Sequence, residues 1–200
     1  MGARTAQVET LEAAREAEAV RLLGRAFVTN PLHVAALGAD QLARNEAMFR
    51  MALPLLKGTK LAAFDDSRMV GVIHWIESPR CQLSVVERLR ILPFMIRSLG
   101  LARARRVAAW LSVWSEHDPK EPHVHLGPIG VLPEAQGRRI GRALMERYCA
   151  HQDATGHMGY LETDRPGNVE FYRRFGFETS ETVAVLGVTN YFMRRQPAAS

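Results

Sequence analysis

The stretch Gly130-Val131-Leu132-Pro133-Glu134-Ala135-Gln136-Gly137-Arg138-Arg139-Ile140-Gly141-Arg142-Ala143-Leu144-Met145 decides the fold. It begins inside a strand-like segment, His123 to Pro133, passes through a glycine-bearing turn, and enters helical spacing from about Gln136 to Ala154. A strand that feeds a helix in this way leaves several backbone N–H groups without an intrahelical partner, all pointing at one place. The helix macrodipole adds partial positive charge there, which attracts phosphate. Arg138, Arg139 and Arg142 add full charges that oppose the helix dipole unless an anion sits among them, so the turn suits a pyrophosphate. Its pattern is neither G-x-G-x-x-G nor G-x-x-x-x-G-K-[ST], which argues against nicotinamide dinucleotides and nucleoside triphosphates. Taken alone, the turn indicates an anion site or an ordinary strand-to-helix turn with a solvated basic start.

Working outward, the spacing predicts a first amphipathic helix within Glu9 to Phe27 and a second from about Asp40 to Leu53, separated by the turn-like Thr29-Asn30-Pro31. Thr59 to Phe64 and Met69 to Glu77 read as a hairpin. Leu83 to Trp114 is helical and rich in arginine, with breaks expected near Pro93 and Gly100. Beyond the central helix come a strand at Met158 to Thr163, a helix at about Asn168 to Phe175, and strands around Thr179 to Leu186 and Thr189 to Arg194. Glycines inside the His123 to Pro133 strand suggest a bulge or a close backbone approach. The element order implies an α/β protein: a mixed sheet of six to seven strands, helices on both faces, and a helical insertion at about 82–117.

The chain has 200 residues, 47% apolar and 24% charged, which fits one globular domain spanning 1–200 and excludes a disordered or fibrous class. Cys81 and Cys149 lie far apart with no CxxC or Cys/His metal spacing, so both are read as free thiols and no metal is expected. The opening MGARTAQVETLEAAREAEAV has acidic residues where a signal peptide needs apolar ones, and no run reaches the roughly 18 apolar residues of a membrane span. A cytoplasmic protein with no membrane partner is expected. A net charge of +5 favours an anionic partner without naming it. Arginines between Arg97 and Arg106 come without any helix-turn-helix, zinc-finger or RNA-binding signature, so nucleic acid ranks last among the partners.

The residues resemble the GNAT N-acetyltransferases, whose cofactor signature is Q/R-x-x-G-x-G/A at the start of this helix. Arg138-Arg139-Ile140-Gly141-Arg142-Ala143 satisfies it, while the register from Gln136 to Gly141 places Arg139 at the first glycine position. A second block, Tyr160-Leu161-Glu162-Thr163 followed by Asn168 and Phe171-Tyr172-Arg173-Arg174-Phe175-Gly176-Phe177, has the family's strand, Asn and FY-x-x-x-GF order. His117-Asp118-Pro119-Lys120-Glu121-Pro122 looks like the puromycin N-acetyltransferase subgroup.

The resemblance implies the family's mostly antiparallel sheet, splayed at the cofactor site, and acetyl-CoA as cofactor. Backbone at Ile129, Gly130 and Val131 would contact the pantetheine arm; Gly137, Arg138, Arg139, Ile140, Gly141 and Arg142 would hold the pyrophosphate. Asn168 would contact the pantetheine or acetyl end, or cap its helix. Tyr172 would act as general acid toward the departing thiolate, against a plain packing role beside Phe171 and Phe177. Glu162 is the candidate base, ahead of His125 and His74, although a carboxylate there could equally organise hydrogen bonds or hold substrate. The reaction expected is acetyl transfer to a primary amine of a small molecule by direct attack in a ternary complex, in a monomer or homodimer. A protein or peptide amine acceptor and a non-catalytic acyl-CoA-binding module are the alternatives. Substrate contacts are expected from Phe27 to Leu37 and from Trp110 and Trp114, if these two line a groove rather than the core.

Overall fold

The structure, a computed structural model, describes residues 6–81 and 83–198. Strand β1 (Gln7–Thr10) precedes three helices, α1 (Glu16–Phe27), α2 (Pro31–Leu37) and α3 (Leu42–Ala52). The hairpin β2 (Thr59–Asp65) and β3 (Arg68–Glu77) leads to the helical pair α4 (Val85–Leu99) and α5 (Leu101–Glu116). Then follow β4 (His123–Val131), α6 (Ile140–Thr155), β5 (Met158–Thr163), α7 (Pro166–Arg173), β6 (Glu178–Val185) and β7 (Val188–Arg195). The opening residues 1–5, part of the segment read as lacking a leader, lie outside the described residues. Among the described residues no helix is long and apolar enough to cross a membrane.

The strands form one seven-stranded sheet in the order β1-β2-β3-β4-β5-β7-β6. Every neighbouring pair is antiparallel except β4 with β5, which is parallel. Two glycines show how the layers close. Gly71 in β3 lies opposite Val131 and Gly130 in β4 lies opposite Val72, so the glycines face opposite sides of the sheet. A Cβ on Gly71 would strike Ile140 of α6 at 2.8 Å, and one on Gly130 would strike Leu23 of α1 at 2.9 Å. The two helices therefore press on opposite faces of the central strands, and Leu23, Ile73, Leu144, Tyr148 and Phe177 between these layers are almost wholly buried.

Several boundaries differ from those expected, each for a physical reason. Gln7–Thr10 is a strand because it pairs with the β2 edge, Val8 opposite Ala63, and that tertiary pairing outweighs the local spacing that placed a helix start at Glu9. Asn30-Pro31 is the start of α2: the Asn30 side chain accepts a hydrogen bond from the His33 N–H, and proline occupies the first helical position. Pro93 sits inside α4 without ending it, at an exposed position where water can satisfy the carbonyl that loses its partner. Gly100 does separate α4 from α5, with φ +80°. Trp110 and Trp114 belong to the packing of α5: their rings meet edge to face at 5.1 Å, and Trp110 stacks edge-on against buried His33.

Candidate active site

The site begins where two strands part. β4 and β5 are paired at His123 with Met158, Val124 with Gly159 and His125 with Tyr160, and nowhere further along. Past that point β4 stays with β3 as far as Val131 and β5 stays with β7 as far as Thr163, so the sheet opens into a V. The divergence follows from a bulge. Ile73 pairs with Ile129 and Trp75 with Leu126, so β4 spends an extra residue around Gly127-Pro128 opposite His74. Gly127 is required there because a Cβ would collide with the His74 ring, and Pro128 has no N–H to offer a neighbouring strand. The β4 edge beyond it keeps unpaired backbone groups.

A cavity of about 780 Å³ fills the opening. Ile129, Gly130 and Val131 form one wall, and Gly137, Arg139, Ile140, Gly141 and Arg142 form the end. Asn168, Phe171 and Tyr172 of α7 form the other wall, with Phe27 and Asn30 at the α1–α2 junction. The turn before α6 is held by two left-handed residues, Gly137 at φ +77° and Arg139 at φ +63°. They delay the helix to Ile140, later than the sequence spacing suggested. Arg139 occupies the N-cap position but its side chain makes no cap bond, and the first helical bond runs from the Ala143 N–H to the Arg139 carbonyl. The N–H groups of Ile140, Gly141 and Arg142 thus point into the cavity without an intrahelical partner. These uncapped donors, with Arg139 and Arg142 on the wall, fit a pyrophosphate.

Two residues expected at the site are placed elsewhere. Arg138, between the two left-handed residues, is turned to the end of β2, where it donates to Asp65 Oδ2 at 2.7 Å, and it is absent from the cavity wall. Glu162 is also off the wall. Thr163 accepts a hydrogen bond from Asn168 Nδ2 at 3.2 Å on the α7 side, so strand alternation turns Glu162 the other way. There its Oε2 accepts from His125 Nε2 at 2.9 Å, and its side chain is only 2% exposed. A buried carboxylate off the cavity wall, with Oε2 held by His125, is not placed to take a proton from substrate in the cavity, which argues against the catalytic role expected for Glu162.

Tyr172 is on the wall and 5% exposed, packed edge to face against Phe171 and Phe177. Burial, and secondarily the charge of Asp164, hold its phenol well above the usual tyrosine range. The proton therefore stays on the oxygen at neutral pH, as a proton donor requires. Asn168 is the third residue of α7, inside the helix rather than capping it.

Sequence reasoning missed the clasp beside this wall. Asp164 Oδ1 accepts from Asn30 Nδ2 at 2.7 Å and Oδ2 accepts from the Leu32 N–H at 2.6 Å, both buried. The clasp ties the α1–α2 junction to the end of β5. The Asn-Pro helix start was a readable signal for Asn30, whereas Asp164 carries none.

A sheet splayed at its parallel pair, an uncapped helix start at the opening and a protonated phenol beside it are the arrangement expected of an acyl-coenzyme A-dependent acyltransferase. Residues 42–177 match the model of the acetyltransferase (GNAT) family, and the chain belongs to that family. It is an N-acetyltransferase, and acetyl-CoA is the family's acetyl donor. Solved structures share the fold over nearly the whole chain. A Corynebacterium glutamicum protein described as histone acetyltransferase HPA2 and related acetyltransferase is 22% identical with TM-score 0.74, over 98% of this chain and 99% of that one. The polyamine N-acetyltransferase of Drosophila melanogaster is 14% identical with TM-score 0.65, over 96% and 99%. A phosphinothricin acetyltransferase from Sinorhizobium meliloti, solved with acetyl-CoA, is 16% identical with TM-score 0.61, over 98% and 92%.

Proposed function

We propose that this enzyme moves the acetyl group of acetyl-CoA to a primary amine of a small molecule by direct attack in a ternary complex. The observation that carries this reading is the composition of the cavity wall. It combines the open β4 edge, the uncapped start of α6 and the Tyr172 phenol, and among the described residues it contains no cysteine, serine, threonine, lysine or histidine. A covalent acyl-enzyme therefore lacks the serine or cysteine it most often uses, which supports direct attack of the amine on the acetyl carbon. The thioester supplies the activated acetyl group.

The chain supplies everything around it. Backbone groups from Ile129 to Val131 offer strand-like pairing to the pantetheine amides, and Asn168 offers a further hydrogen bond. The N–H groups of Ile140, Gly141 and Arg142, with Arg139, neutralise the pyrophosphate. Tyr172 holds the proton for the departing sulfur. Phe27 and Asn30 bound the acceptor end, and Asn30 is fixed by Asp164. Trp110 and Trp114 are engaged in core packing and do not widen that end, which favours a compact acceptor. The name of the Drosophila structure, a polyamine acetyltransferase, is consistent with a small amine.

The resemblance to the puromycin-type subgroup rests on His117 to Pro122, and in the fold this segment carries Asp118 toward His123 and His125 rather than to the cavity. The test is release of free coenzyme A thiol from acetyl-CoA with a panel of small primary amines and of peptides. Turnover with small amines is expected. Turnover confined to peptides would overturn the acceptor class, and tight acetyl-CoA binding with no acceptor would indicate a non-catalytic binding module.

A further inference from the structure

Outside the cavity, the fold brings Cys81 across the helical insertion to three metal-ligating side chains of the segment 118–125. Cys81 follows β3, Asp118 follows α5, and His123 and His125 alternate onto one face of β4. One ligand atom from each lies within 4.8 Å of all the others. We propose that Cys81 Sγ, Asp118 Oδ1, His123 Nε2 and His125 Nδ1 bind a zinc ion that clamps both ends of the helical insertion onto β4.

Three observations carry this assignment. Three of the six ligand separations match the edges of a tetrahedron around zinc, and the other three lie within 4.8 Å. Cys81 Sγ is 3.5 Å from His123 Nε2, His123 Nε2 is 3.6 Å from Asp118 Oδ1, and Asp118 Oδ1 is 3.3 Å from His125 Nδ1. Zinc bonds of about 2.0 to 2.3 Å at tetrahedral angles give ligand separations of roughly 3.3 to 3.6 Å. Next, Asp118 Oδ1 and His125 Nδ1 are buried polar atoms with no hydrogen-bond partner, although they are neighbours. Such orphans are costly unless something else satisfies them.

Finally, the outer nitrogen of each imidazole is already engaged. His123 Nδ1 donates to the Glu121 carbonyl at 2.8 Å, and His125 Nε2 donates to Glu162 Oε2 at 2.9 Å. Each bond fixes the tautomer that aims a lone pair at the common centre, the support that metal-bound histidines usually have. This also gives Glu162 a place: it positions His125 rather than acting on substrate.

A thiolate, two imidazoles and a carboxylate in a tetrahedron suit zinc better than magnesium or calcium, which prefer oxygen ligands and more of them. Four protein ligands leave no open position, so the ion is structural. Cys81 stands just before α4 and Asp118 just after α5, so the ion would fasten the base of that helical pair. Linear spacing argued against a metal because Cys81 has no nearby Cys or His and is separated from Asp118, His123 and His125 by the helical pair α4 and α5.

The test uses the full chain, expressed with zinc available and purified without chelator. Elemental mass spectrometry should find close to one zinc per chain. After stripping, cobalt(II) should restore strong tetrahedral visible bands and a thiolate-to-cobalt charge-transfer band, with zinc competing at a dissociation constant of about 0.1 μM or tighter. Cys81→Ala should abolish the charge-transfer band and weaken zinc binding about tenfold or more, while Cys149→Ala changes neither. Asp118→Asn, a smaller perturbation, should weaken zinc binding while the charge-transfer band persists. Acetyl-CoA binding serves as the check that each variant is folded. Absence of zinc combined with cobalt affinity weaker than about 10 μM, weak six-coordinate bands, or a thiolate band that survives Cys81→Ala would overturn the proposal.

Discussion

Replacing Arg139 by glycine and, separately, by alanine separates the two things this residue does. Its backbone is left-handed, φ +63°, at the N-cap of α6, and its side chain lies on the cavity wall. A left-handed conformation costs a residue with a Cβ about 1 to 2 kcal/mol, and glycine escapes that cost. Glycine's extra freedom in the unfolded chain offsets about 0.5 to 1 kcal/mol of the gain. Arg139→Gly should therefore be roughly 0.5 to 1 kcal/mol more stable than Arg139→Ala, which for a domain of this size is a melting point higher by roughly 2 °C. Both variants lose the same guanidinium, so both should bind acetyl-CoA about tenfold more weakly than the parent, in line with one partly exposed charge-assisted contact. Differential scanning calorimetry reads the first quantity and titration calorimetry the second. A glycine variant no more stable than the alanine variant would refute the left-handed backbone; unchanged affinity in both would refute the role of the side chain.

Two further outcomes follow from the site and the core. Tyr172→Phe should lower turnover by about a hundredfold or more while leaving acetyl-CoA binding within a few fold, because only the proton donor is removed; equal losses in both measurements would reduce Tyr172 to a packing residue. His33 is buried, and burial is the main reason its pKa falls to about 4, against the opposing bond to Asn45. The unfolded chain then binds more protons between pH about 4 and about 6.5, so stability is complete above that window and is lost as pH falls through it. At pH 5 the part of the loss due to His33 is about 2 kcal/mol, and urea unfolding at pH 7 and pH 5 should show a fall in stability smaller by that amount in His33→Leu than in the parent, with buried His74, also lowered to about 4, contributing equally to both chains.

The strand, turn and helix from His123 to Thr155 were legible because every signal there is local: glycines, a basic first turn, and apolar spacing. So was the wall that Tyr172 and Asn168 share, since both stand on one short helix after a recognisable strand. The strand β1 was not, because Gln7 to Thr10 has no pattern of its own and takes its conformation from the β2 edge. The positions of Arg138 and Glu162 depended on torsions and strand alternation that residue type does not reveal: two left-handed residues turn one away, and Thr163 fixes the face of the other. The Asn30–Asp164 clasp and the Cys81, Asp118, His123 and His125 cluster are products of tertiary topology, with partners separated by 134 residues in the first case and by an intervening helical pair in the second.

The central claim is that the opening between β4 and β5 binds acetyl-CoA through the uncapped start of α6. Gly141 tests it directly, because a Cβ there would meet nothing nearer than Phe171 at 3.5 Å, so a larger side chain can be carried without breaking the fold. Titration calorimetry of acetyl-CoA into the parent and into Gly141→Glu should show binding in the first and none in the second, with equal melting points in the absence of ligand. Equal binding by both, or none by the parent, would contradict the account.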